Sequence, residues 1–150
     1  MYFSNTYSIF LDRTEKSLYI RKMKYISSTI KTVDQVTEAM ASVVNSKGFG
    51  LLHVHDLKAT MASKGVEFGP EVRVFEVCNP FKAQGVLTED IHLNMALPCR
   101  ISVWEEGGEV KIGTLLPTKF LGMLNSSPGL QAPAKEVEDV LVAIMNEVAV

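Results

Sequence analysis

Apolar side chains return at helical intervals along two long stretches of this chain and alternate with polar ones along several shorter stretches. Behind Thr32, residues Val33, Val36, Met40, Val43 and Val44 fall at i, i+3, i+7, i+10 and i+11. That spacing is the buried stripe of an amphipathic helix, with Thr32 as its cap and Lys47-Gly48 as its stop. From Pro133 onward, Val137, Val140, Leu141, Ile144 and Val148 repeat the template, with Glu136, Glu138, Asp139 and Glu147 largely on the other side. Period-two alternation and β-rich composition predict strands over 23–30, 49–55, 71–78, 97–104 and 110–115. Asp56 caps a short helix through Lys64 that Gly65 ends, and Asn79-Pro80 joins a good N-cap to a proline at the first helical position, for a helix reaching about Thr88. Pro117 opens a further short helix, residues 125–129 read as a loop, and Gly107-Gly108 supplies the positive φ angles of a hairpin turn. Five strands and five helices result. They alternate at first and then give a hairpin, which predicts an α+β two-layer sandwich with helices packed on a mixed, largely antiparallel sheet.

Composition narrows the picture to one domain. The 150 residues are 47% hydrophobic and 21% charged, ordinary values for a globular chain. A domain of this size buries roughly 68–70% of its unfolded surface, so two cysteines are not needed as staples. All four tyrosines fall within the first 25 residues, and residues 1–24 carry five basic against two acidic side chains. This reversal predicts a poorly ordered N-terminal extension over 1–22, ahead of a single α+β domain over 23–150. The whole chain carries a net charge of −2 and shows no basic stripe interleaved with aromatics, which argues against nucleic acid as a partner. No apolar run approaches the roughly 20 residues of a membrane helix, and the start lacks the features of a signal peptide. A cytoplasmic, reducing location is the expectation.

Four segments look like signature blocks of the bacterial and archaeal domain of unknown function family 302: Gly48-Phe-Gly-Leu-Leu-His-Val-His-Asp-Leu-Lys58, Glu71-Val-Arg-Val-Phe-Glu-Val-Cys-Asn-Pro80, Leu97-Pro-Cys-Arg-Ile-Ser-Val103, and Lys111-Ile-Gly-Thr114 with Pro117-Thr118. The resemblance runs over about 25–150 and leaves the first 22 residues outside the family pattern. It implies a TATA-binding-protein-like two-layer topology, commonly seen as a homodimer, with no inference of DNA binding. The family has no established activity, so the resemblance implies no reaction, substrate or cofactor.

Chemistry must then be sought in single residues. Cys78 holds the last strand position before Asn79-Pro80, where free backbone N–H groups and the helix dipole favour an anion, so its thiol is expected below the ordinary pKa of about 8.5. Cys99 has Arg100 beside it. The competing reading treats both cysteines as small buried hydrophobes. His53 and His55 share one strand face, as a metal site would want, but a third ligand would have to come from Cys78, Cys99, His92 or Asp56. Arg73 and Arg100 sit in apolar strands, where a guanidinium needs a carboxylate such as Glu76 or an anionic ligand. No phosphate loop, nucleophile elbow or Ser/His/Asp set is present, and nothing calls for a cofactor.

The reading favoured by these residues is a homodimeric binding module. Its small anionic or sulfur-containing ligand would lie near Cys78 and Cys99, with Asn79, Arg100 and Arg73 as further contacts. The alternatives are a thiol-dependent sulfur or redox handling protein that uses Cys78 as its catalytic group, and a structural or regulatory interaction domain with inert cysteines. A second subunit is expected because the strand 71–78 is apolar on both sides, with Val72 and Val74 on one and Phe75 and Val77 on the other.

Overall fold

Thr32 begins the first long helix with a reciprocal cap. Its Oγ1 accepts from the Gln35 amide at 3.2 Å, while the Thr32 amide donates to Gln35 Oε1 at 2.9 Å. The computed structural model describes Leu18 and residues 21–150. Apart from Leu18, Arg21 and Lys22, the expected extension over 1–22 lies outside the described residues. In chain order the elements are β1 (Lys24–Thr29), α1 (Val33–Ser46), β2 (Gly50–Asp56), α2 (Leu57–Ala62), β3 (Val72–Cys78), α3 (Pro80–Glu89), a 3₁₀ helix (Ile91–Ala96), β4 (Cys99–Glu106), β5 (Glu109–Leu115), α4 (Pro117–Leu124) and α5 (Pro128–Ala149).

The five strands form one sheet in the order β1-β5-β4-β3-β2, in keeping with a TATA-binding-protein-like topology. Every pairing is antiparallel, so the expected mixture of strand directions is not found. The physical reason lies in what the helices connect. The strands on either side of α1, β1 and β2, end at opposite edges and never pair. The helices between β2, β3 and β4 are excursions between antiparallel neighbours, not crossovers between parallel ones. Gly107 and Gly108, at φ of 61° and 80°, turn β4 into β5 as the sequence predicts.

Both long helices pack on one face of the sheet. Val36, Met40 and Val44 of α1 and Leu141, Ile144 and Val148 of α5 meet Phe75, Val77, Ile101, Val103 and Ile112. A smaller cluster joins Val86, Leu93, Leu121, Leu130 and Ala134. It explains why α5 starts at Pro128 instead of the expected Pro133. Pro133 forgoes the bond its own amide would have given and crowds the carbonyl four residues earlier, and burial of Leu130 and Ala134 offsets that cost. No helix among the described residues is long and apolar enough to cross a membrane.

Candidate functional site

The period of two leaves a second sheet face that neither long helix covers. Register places Lys24 and Ile26 of β1, Lys111, Gly113 and Leu115 of β5, Arg100, Ser102 and Trp104 of β4, Glu76 of β3, and His53 and His55 of β2 on it. At the end where β1 starts, β5 ends and β4 starts, a cleft of about 310 Å³ opens, lined by Ile26, Pro98, Trp104, Gly113, Leu115 and Phe120 among others. Among the described residues, the charged ones that line it are the cations Lys24 and Arg100. The volume and the mostly apolar wall suit a small organic ligand.

Trp104 makes the floor by lying against Gly113. A Cβ at 113 would stand 2.9 Å from two of its ring carbons and 3.4 Å from Ile26 Cγ1. A strand-interior glycine is what permits that approach. The indole N–H donates to Glu106 Oε2 at 3.3 Å. Beneath Arg100, the buried Thr114 hydroxyl donates to the Arg100 carbonyl at 2.7 Å and ties β5 to β4.

Cys99 lines this cleft and also a second, smaller cavity of about 30 Å³, which it shares with Cys78, Asn79, Phe49 and Val86. That space suits one or two waters and is too small for a ligand. Both cysteines are free. Burial raises the Cys78 thiol above its ordinary value and pushes Cys99 up to about 11, with nearby Cys78 adding to the second shift. The expectation of a lowered Cys78 is therefore reversed. The donors it was to exploit are taken by its neighbour: Asn79 Oδ1 accepts from the amides of Phe81 at 3.0 Å and Lys82 at 3.1 Å. Asn79 Nδ2 donates to the Gly48 carbonyl at 2.9 Å, so this side chain caps α3 and pins the loop before β2.

The two arginines stand on opposite faces. Arg73 is 16% exposed and points to the helix side, where its guanidinium meets Asp34 Oδ1 at 2.6 Å, Thr37 Oγ1 at 2.9 Å and Asp56 Oδ2 at 3.5 Å. It is consumed internally and stands apart from the cleft. Arg100 is 62% exposed and lies 3.6 Å from Glu76 Oε1. His55 Nε2 lies 3.2 Å from that same oxygen, and the His53 and His55 rings meet edge-on with centroids 4.3 Å apart. Among the described residues no three His, Cys, Asp or Glu side chains gather to hold a metal ion. Two of the candidates for a third ligand are engaged elsewhere, Asp56 capping α2 and His92 paired with Asp90.

Sequence reading thus reached Cys99 and Arg100 but missed Lys24, Phe120, Trp104 and Gly113. The last two left a signal: a lone tryptophan on the same strand face as Arg100, and a glycine inside the next strand.

The family model for "Domain of unknown function DUF302" matches residues 24–148. A solved structure, the crystal structure of the uncharacterized conserved protein DUF302 from Bacillus stearothermophilus, superposes with a TM-score of 0.79 at 30% identity. The match covers 84% of this chain and 98% of that one. No curated protein matches.

Proposed function

The chain belongs to the DUF302 family, and from that premise we propose that it is a binding module whose open-face cleft takes a small amphipathic anion. The apolar body of the ligand lies on Trp104, and its carboxylate, phosphate or sulfonate head faces Lys24 and Arg100. One observation carries this reading: in a mostly apolar cleft of about 310 Å³, the charged side chains that line it among the described residues are both cations. A hydrogen bond to a charged group contributes about 1.5–3 kcal/mol, enough to select an anion over its neutral analogue. The thiol reading has less support, because burial holds both sulfurs as thiols at neutral pH. We also read the module as a homodimer, since Ile26 and Leu115 stay exposed on the open face.

Trp104 is the chain's single tryptophan and reports on its own cleft. Titration with 8-anilinonaphthalene-1-sulfonate, an amphipathic anion, is expected to quench it with saturation at one site per chain. Arg100→Gln or Lys24→Gln should weaken that binding about tenfold each. Quenching that never saturates, or that ignores both substitutions, defeats the reading.

A further inference from the structure

Glu76 stands between the cation of the cleft and an imidazole. In the sheet register it lies opposite Arg100 on β4 and opposite His53 on β2. A single atom, Oε1, lies 3.6 Å from Arg100 Nη2 and 3.2 Å from His55 Nε2. The carboxylate is half-buried and Arg100 reaches on to the cleft wall.

We propose that Glu76 moderates the cation of the cleft, its carboxylate offsetting the charge that Arg100 presents to the anionic head of the ligand, and that His55 competes for the same oxygen, so that protonation of His55 strengthens anion binding. This rests on the cleft reading above. While the imidazole is neutral, Arg100 is the cation that Glu76 serves, and the carboxylate offsets part of the charge an incoming anion would meet. Once the imidazole takes up a proton, the nearer cation draws the carboxylate, and Arg100 is left uncompensated at the cleft. Linkage makes the effect reciprocal, and a bound anion favours proton uptake at His55.

The surroundings of His55 leave few competitors. His53 faces it from its own strand. From β3 and β4 the facing groups are Glu76 and Arg100. Asp56 on β2 and Asp34 on α1 are bound to Arg73 on the helix side, and Lys58 of α2 is bound to Glu71.

The test is the dissociation constant of 8-anilinonaphthalene-1-sulfonate, read by Trp104 quenching from about pH 5 to about pH 8, at a fixed ionic strength of about 0.15 M. The sulfonate stays ionised throughout, so any titration belongs to the protein. In the unsubstituted chain and in His53→Gln, binding should tighten about three- to tenfold on acidification, at the modest end of coupling between sites. In His55→Gln and Glu76→Gln it should be flat, and Glu76→Gln at about pH 8 should already bind as tightly as the unsubstituted chain does at about pH 5. A slope that survives either of those two substitutions means that the charge acts without the shared carboxylate and overturns the proposal. So does a flat profile in the unsubstituted chain. Absence of saturable binding at every pH overturns the cleft reading and this inference together, whereas binding with the wrong slope overturns this inference alone.

Discussion

At Gly113 a methyl group would sit closer to the indole of Trp104 than carbon atoms pack, which makes the sign of one substitution informative. Alanine normally improves on glycine inside a strand by roughly 0.5–1 kcal/mol. Here Gly113→Ala should instead destabilise by about 1–3 kcal/mol and shift Trp104 emission to the red, because the ring must leave the sheet. Denaturant unfolding followed by tryptophan emission measures both, and a stabilised protein with unchanged emission would contradict the packing described. Cys99 supplies a second residue-scale expectation. Its thiol ionises near 8.5 in the unfolded chain and at about 11 in the folded one. The folded state therefore holds the extra proton, and the contribution is complete below about pH 8.5 and lost as pH rises toward 11. Between these limits Cys99→Ala should lack about 3 kcal/mol of the alkaline destabilisation seen in the unsubstituted chain, as equilibrium unfolding at a series of pH values will show.

Among the elements, α4 and α5 begin without a side-chain cap from their own N-cap residues. For α4 another helix supplies the acceptor. Glu138 of α5 accepts from the Thr118 amide at 3.0 Å and the Thr118 hydroxyl at 2.6 Å. The Glu89 carboxylate, from the end of α3, lies against Gly129 in the first turn of α5, where only a glycine leaves it room. An anionic acceptor at a helix start satisfies N–H groups that the helix cannot. Glu138→Ala should thus cost about 1–2 kcal/mol, the range of a lost cap, although it removes no buried apolar surface. A change in melting temperature below a degree would mean that Thr118 finds its acceptor in water. This cap escaped sequence reading for a simple reason. Thr32 and Gln35 lie three residues apart and announce a box, whereas Glu138 and Thr118 lie 20 apart and meet only after α4 and α5 have packed.

For the whole molecule, the open face bears on assembly. Sedimentation at micromolar concentration is expected to give twice the 16.6 kDa of the chain, and a monomer at every concentration would refute the dimer. What was legible beforehand follows the same division between local and distant. The α1 stripe and most of the α5 stripe could be read because burial on one face is written as spacing, and Val36, Met40, Leu141 and Ile144 are indeed fully buried. Strand direction could not be read, since a helix between two strands looks alike as a crossover and as an excursion. The cleft was half-legible. Arg100 and Cys99 carry conspicuous chemistry, while the cavity beside them is a relation among β1, β4 and β5 that no window of sequence contains.

The pairing of β1 with β5 joins residues about 80 to 90 positions apart, from Thr29 opposite Val110 to Lys24 opposite Leu115. Closing so long a loop is entropically slow, whereas β4 and β5 meet across a two-glycine turn. The hairpin can therefore form early, whereas β1, an edge strand whose strand partner among the described residues is β5, docks late. Lys24 and Ile26 arrive on that strand. One wall of the cleft is thus the last part of the sheet to assemble and the first to part in local unfolding. A ligand seated against it would act as a clasp across the two ends of the sheet's longest closure, slowing amide exchange in β1 before any other strand.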